Sequence, residues 1–550
     1  MHIKATANRM LKGVTLLLVL ALVASNPDIL VRDAQAQPVN SFSYNFTVDE
    51  NGSATTKITF RSSSGSGSSW VFVPKFTEWT NRTVKGKVTE WSLDETETLA
   101  NVSHYFYQVL RFFFRSDDSG FEINVHFNVS TAAMIIEPNG IFFSPQIGIQ
   151  QGNKLEASVA FPRVFTVDLR QATADGSSGS YRPSSTGSNS NYVLFNDIPR
   201  TENLLRIEIG FKTVNNTAEL VKLSNGVFTF ETSPRYSEHA KSILDLYSRT
   251  YHDLVELFNV TLQKAQVRFF LPEFGSLLSI GGYVPFVSER MGDIHINIMY
   301  TRSIEGYIET IAMHELVHQF LWKASISPRT MLWLHEGLAQ YVSIEIVSRL
   351  GYEGAQMMRQ EQWKAWAQLK QTQGENVGFL KFWNPSRQPQ DIWVYYVAAY
   401  YVVSSLAEAR GGLDYYARFF ALLEDERIDD TATLAYYLSL AADESVVRKL
   451  NNWGFGIPDL YIYSPLLSNV EQAVDDVSPL YQPYKFVAEL LYQQALLNAR
   501  EESNARMQFY LTLAILVARL APLLTLITVS GILFGAVLLV LRKAGVFSSY

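Results

Sequence analysis

The sequence predicts a multidomain protein: an N-terminal β-sandwich-like domain, an α+β domain that continues into helices, and a C-terminal transmembrane helix. Three observations carry this. Before residue 232 apolar and polar residues alternate with the period of half-buried strands; after Ser233-Pro234 the period becomes helical; and Leu520 to Leu541 carries no charge. At 550 residues the chain is too long for one core.

In the first region Phe121, Ile123, Val125 and Phe127 alternate with Glu122, Asn124, His126 and Asn128. Ser53 to Phe60, Trp70 to Lys75, Val102 to Phe114, Glu156 to Leu169 and Leu204 to Lys212 read the same way, with turn-rich clusters such as Ser62 to Ser69 between them. Many short alternating strands favour a β-sandwich. Gln171 to Asn191, rich in Ser and Gly, reads as a loop. There is no internal repeat. A helix is expected over Tyr236 to Phe258, then strands over Gln266 to Leu271, Gly281 to Val287 and Asp293 to Met299. A helix from near Ser303, a second after Pro328, and helical sequence from Tyr352 to about Asn452 follow. Proline and glycine between Trp453 and Pro483 read as a linker. Tyr484 to Ala518 reads as a helical stalk running into the apolar run, with a kink at Pro522.

The expected domains are therefore a signal peptide (1–36), a β-rich domain (38–232), an α+β domain (233–452), a linker and juxtamembrane stalk (453–519), a transmembrane helix (520–541) and a cytoplasmic tail (542–550). Lys4, Arg9 and Lys12 precede the apolar run Gly13 to Ala24, and Ala34-Gln-Ala36 offers a cleavage site. The 22 residues from Leu520 to Leu541 would extend about 33 Å as a helix, enough to span a bilayer. The signal puts the body outside the cell and the tail inside. Seven Asn-x-Ser/Thr sequons, at Asn45, Asn51, Asn81, Asn101, Asn128, Asn215 and Asn259, agree with an outward-facing first half. The net charge of −7 without a basic stripe argues against a nucleic-acid partner. With no cysteine, disulfides, thiolate metal sites and cysteine nucleophiles are excluded.

The chemistry is concentrated in Ala312-Met-His-Glu-Leu-Val-His318 and Trp333-Leu-His-Glu-Gly-Leu-Ala-Gln-Tyr341. On a helix, His314 and His318 stand one turn apart on one face and can reach one metal ion, with Glu315 on the flank within reach of a water there. Such a motif arises by chance on the order of 0.01 times in a chain of this composition. Its apolar surroundings, Ile311, Met313, Leu316, Val317, Phe320 and Leu321, make two histidines and a glutamate costly to bury without a partner such as a metal. Glu336, eighteen residues after His318, is placed to be a third ligand.

His-Glu-Leu-Val-His followed by Trp-Leu-His-Glu-Gly-Leu-Ala resembles the gluzincin zinc metallopeptidases, most closely the aminopeptidase N-like branch with its Trp-Leu-Asn-Glu-Gly-Phe-Ala. The resemblance covers Tyr236 to Leu423. It implies a thermolysin-like zincin catalytic domain holding one Zn²⁺ through His314, His318 and Glu336, with Glu315 as general base. It also implies that Tyr396, in Tyr396-Val-Ala-Ala399, stabilises the oxyanion, although Ala399 replaces the family's glycine. Tyr395, Tyr396, Tyr400 and Tyr401 also fit four core aromatics. A peptide substrate would lie along a sheet edge at Gly281, Gly282 and Tyr283.

The chain departs from the family in three further places. The Gly-x-Met-Glu-Asn segment that binds a free amine is replaced by Ile280-Gly-Gly-Tyr-Val-Pro-Phe-Val287, which has no carboxylate. Ser343 stands where a supporting glutamate is usual, leaving Glu345 as the substitute. His335 replaces the asparagine before the third ligand, and at about 100° from Glu336 around the helix it is not expected to share the metal. His295 reads as a packed strand residue. The implied function is a membrane-anchored extracellular zinc metallopeptidase acting on peptides. Two other readings stay open: an aminopeptidase with a non-standard amine anchor, and a surface binding or scaffold glycoprotein with a vestigial zinc site.

Overall fold

The computed structural model describes residues 40–543, apart from 64, 95–97, 100–101, 104–105, 187–190, 216, 218, 288, 388, 425 and 501–502. The expected signal segment, the sequon at Asn101 and the tail beyond 543 lie outside the described residues. The chain divides into two compact units.

The first unit, up to Glu219 together with Glu273–Leu277, is built of strands. A seven-stranded sheet carries Ser41–Val48 at its centre, antiparallel to Ala54–Ser62 and parallel to Lys154–Ala160. A second sheet is centred on Leu204–Lys212, and a third holds three strands about Tyr107–Arg115. All three contribute inner faces to one core that includes Phe46, Phe60, Phe112, Phe121, Phe142 and Ile209. Phe121, Ile123, Val125 and Phe127 are buried as their alternation predicts. Asn124, on the other face of that strand, is buried too, because Thr59 donates a hydrogen bond to it at 2.7 Å. Two expectations change. Glu156 to Leu169 is two strands, Lys154–Ala160 and Thr166–Gly176, not one. The second of these enters the Ser/Gly-rich stretch read as a loop, because Ala172 and Ala174 find core positions opposite Ile209 and Ile207.

The second unit holds a five-stranded sheet in the order Val221–Asn225, Phe228–Thr232, Ala265–Phe270, Ile294–Asn297, Gly282–Tyr283. Its three central strands are parallel, and Val221–Asn225 and Gly282–Tyr283 are its two antiparallel edges. The helices are α1 (Ser237–Phe258), α2 (Tyr307–Lys323), α3 (Leu332–Arg349), α4 (Glu353–Gln373), α5 (Ile392–Glu408), α6 (Leu413–Leu423), α7 (Thr431–Ala442), α8 (Val447–Asn452), α9 (Ser464–Asp475), α10 (Tyr484–Arg500) and α11 (Asn504–Lys543).

α1 buries the face expected from its spacing, Ile243, Leu246, Tyr247, Leu254 and Leu257, and stops at Asn259 in the left-handed conformation. α2 begins at Tyr307, four residues later than expected from Ser303, because Ile298–Arg302 is a 3₁₀ turn. Glu309 then caps α2 by accepting the Gly306 N–H at 2.8 Å. Beneath α2 the buried Tyr247 hydroxyl donates to the Ala312 carbonyl at 2.6 Å.

The C-terminal region corrects two expectations. The segment read as a linker contains α9, and the stalk is not one continuous helix. α10 ends at Arg500 and α11 begins at Asn504, and α10 packs back along α11 through Ala488, Ala495, Met507, Leu511, Ala514, Ala518 and Ala521. Small residues at these seam positions let the two helices approach closely. α11 passes Pro522 as one helix and ends in a long, apolar, exposed stretch with a mean hydropathy of 2.6.

The Tyr247–Ala312 bond ties α1 to the middle of α2. Tyr247→Phe should lower the stability of this unit by about 1 kcal/mol, read as a lower urea midpoint with an unchanged slope.

Candidate metal centre

α2 presents His314 and His318 one turn apart, and α3 crosses it so that Glu336 faces both rings. The Glu336 Oε2 lies 3.3 Å from His314 Nε2 and 3.6 Å from His318 Nε2. One donor atom from each of the three residues falls within 4.8 Å of the others. Gly337 enables this placement: a Cβ there would stand 2.8 Å from the Ala399 carbonyl oxygen. The missing side chain lets α5 lie against α3, with the small, buried Ala399 at the crossing.

The site is buried and its charges respond to one another. Burial pushes the Glu315 carboxyl up to about 8, with His314 opposing the rise and Glu336 adding to it. Burial also drives the His318 and His335 rings down, His335 to about 3. For Glu336, burial is outweighed by His318 and His314, which hold its carboxyl below the usual range. For His314, burial is outweighed by its bond to Glu336 and by the charges of Glu315 and Glu336, and the ring is raised. Two carboxylates buried in an apolar setting require positive charge beside them.

A divalent cation fits the same need. The donor set of two imidazoles and one carboxylate is a zinc set that leaves a coordination position open. Glu315 Oε2 is buried without a hydrogen-bond partner, so its lone pairs are open to a donor at the centre.

His335 is placed where the sequence did not lead us to look for it. It is not among the three converging donors, as expected, but its Nδ1 lies 2.7 Å from the Nδ1 of His318, with the two rings stacked. When His318 offers Nε2 to a metal, its Nδ1 carries the proton and donates to His335. Glu345 does not take the supporting role expected of it. Its carboxylate pairs with Arg359 at 2.7 Å, and Ser343 bonds back to the Gln340 carbonyl. Ser343 is fully buried.

Gly281, Gly282 and Tyr283 form the sheet edge beside α2. A Cβ on Gly282 would come within 2.7 Å of Glu315 Oε1, and one on Gly281 within 3.2 Å of Ile311. Glycine is required here for the strand to run so close to the helix. Two adjoining hollows flank the centre and share Gly282, Tyr283, His314, Glu315 and Tyr396. One is closed by Ile280, Ile311, Gln340, Met358 and Ile392, the other by Phe286, Met291, Leu332, His335 and Pro385. Among the described residues lining them, only Glu315 and Glu336 are acidic.

Of the four tyrosines on α5, Tyr395, Tyr400 and Tyr401 pack against Phe379, Trp363 and Trp366. Tyr396 alone of these lines both hollows, and the Glu336 charge, then burial, then Glu315 raise its phenol. His295 stacks on Tyr283 as a packed strand residue. Gln340 was not anticipated, although it lies one turn after Glu336 on the same face of α3 and that spacing was available to find it.

No family model matches the chain, and no curated protein matches it. Among solved structures it is similar to yeast LTA4 hydrolase in complex with bestatin, at 14% identity and a TM-score of 0.32, over 88% of this chain and 86% of that one. It is similar at 14% identity and 0.33 to native leukotriene A4 hydrolase from Saccharomyces cerevisiae, over 86% of this chain and 77% of that one. Likeness at this level carries no functional weight, and the reading of the site rests on its own geometry.

His335→Ala should weaken zinc binding by about 10–100-fold in competition with a chelator, because His318 loses its acceptor; His335→Asn should restore most of it. An unchanged affinity in His335→Ala would remove the orienting role.

Proposed function

We propose that this protein is a zinc-dependent metallopeptidase of gluzincin type, anchored in a membrane by Leu520 to Leu541 with its catalytic body outside the cell. The observation that carries the reading is the convergence of His314, His318 and Glu336 beside Glu315 at the edge strand Gly282–Tyr283. A zinc ion held by those three residues supplies Lewis acidity toward water and the scissile carbonyl.

The chain's own residues do the rest. Gly281, Gly282 and Tyr283 offer an edge on which an extended peptide adds as a strand, its scissile bond beside Glu315. Glu315 takes the proton from the attacking water and passes it to the leaving nitrogen. Desolvation of its carboxyl suits this exchange, since the carboxylate gains basicity while the charge of a bound cation keeps it ionised. Tyr396 donates its hydroxyl hydrogen to the developing oxyanion. His335 holds His318 in the tautomer that leaves Nε2 free.

The lack of a spare carboxylate among the described lining residues favours cleavage within a peptide over removal of an N-terminal residue. A buried ammonium needs a paired carboxylate, and the acidic side chains among the described lining residues are the ligand Glu336 and the base Glu315.

Glu315→Ala should retain zinc and lose turnover by roughly a thousandfold; parental turnover would sink the mechanism. Tyr396→Phe should lower kcat by about 10²–10³-fold with little change in KM. A peptide and its N-acetylated form should be cleaved at similar rates, whereas full loss on acetylation would establish an aminopeptidase. A folded body that binds no stoichiometric zinc would favour a scaffold glycoprotein.

A further inference from the structure

The turn between α9 and α10 lies alongside the apolar part of α11, and the geometry points to its insertion into the outer leaflet as a second, monotopic membrane contact. The inference rests on reading Leu520 to Leu541 as a membrane span.

One hydrogen bond sets the level. The Tyr484 hydroxyl and the Thr528 hydroxyl lie 2.5 Å apart, so the start of α10 reaches a point eight residues into the apolar run. Eight helical residues are about 12 Å. Were this turn kept in water, only the residues from 529 to 541 would remain to cross the bilayer. These measure about 20 Å, against a hydrocarbon core of about 30 Å. Snorkelling of Arg542 and Lys543 does not close a gap of that size. The span reaches its needed length only if the turn beside it is immersed as well.

The surface of the turn suits lipid. Leu480 is 83% exposed, Phe486 59% and Leu490 49%, and Leu523, Leu526 and Ile527 on α11 are exposed as well. Exposed apolar side chains that adjoin a lipid-facing helix share its solvent. Tyr481 and Tyr484 add the amphipathic rings typical of the membrane interface.

The charges sit where headgroups would be. Arg519 precedes the apolar run and shares a groove with Asp476, Tyr481 and Pro522. Lys485 turns its ammonium back to the Asp475 carbonyl at 3.5 Å. Glu489, five residues into α10 from Tyr484, lies roughly 7 Å back toward the surface. The turn therefore meets lipid with leucine and phenylalanine and meets the headgroups with its charges. Two contacts, a span and a turn, restrict the tilt of α11 more than a span alone.

The cysteine-free chain permits a direct test. Phe486→Cys, Leu490→Cys, Ile532→Cys and Leu350→Cys, all at exposed positions, are labelled singly with an environment-sensitive fluorophore. The full chain is then reconstituted in phosphatidylcholine vesicles with and without lipids spin-labelled near the top of the acyl chain. The probes at 486 and 490 should lose emission to the spin-labelled lipid, as the span control at 532 does, while the body control at 350 keeps its emission. Quenching at 532 with none at 486 and 490 would overturn the immersed turn and leave the span standing. No quenching at 532 would overturn the span, and the inference with it.

Discussion

Burial of two carboxylates and two imidazoles at the crossing of α2 and α3 is the constraint on which the second unit depends. Groups of this kind are stable in an apolar setting only when their charges balance and their lone pairs are used. The crossing achieves balance among His314, His318, Glu315 and Glu336, leaving Glu315 Oε2 and His314 Nδ1 without partners. Around it the packing is apolar: Met313, Leu316, Val317, Leu334 and Leu338 are all but fully buried. These polar groups meet at one place, and that place adjoins an open groove.

Backbone approach is the second condition. Gly337 lets α5 close on α3, and Gly282 lets the edge strand close on Glu315. Each glycine removes a Cβ that would otherwise hold two elements apart, so that Tyr396, Glu336 and Glu315 line one groove. The edge strand runs beside the two hollows that flank the centre.

Much of this was legible in the sequence, for local reasons. The i, i+4 spacing of His314 and His318 places both rings on one side of any α-helix, and alternation from Phe121 to Phe127 commits those residues to one sheet face. The roles of His335 and Glu345 were not legible, because each depends on what a neighbouring helix brings opposite it. His335 meets His318 through the crossing of α2 and α3, whereas Glu345 meets Arg359 on α4. The strand through Ala172 and Ala174 was hidden by its Ser- and Gly-rich surroundings; pairing to Leu204–Lys212, a contact distant in sequence, creates it.

By itself the sequence determined the candidate donor set, the change from strands to helices after residue 232, the apolar run near the C-terminus and the lack of a carboxylate between Ile280 and Val287. These follow from residue identity and short-range period. Only the tertiary structure decided that Tyr396, of four neighbouring tyrosines, lines the groove, that His335 stacks against His318, and that α10 folds back along α11 rather than leading into it as a stalk. The physical reason is common to all three: which face of a helix is used, and where a helix stops, are set by the surface packed against it.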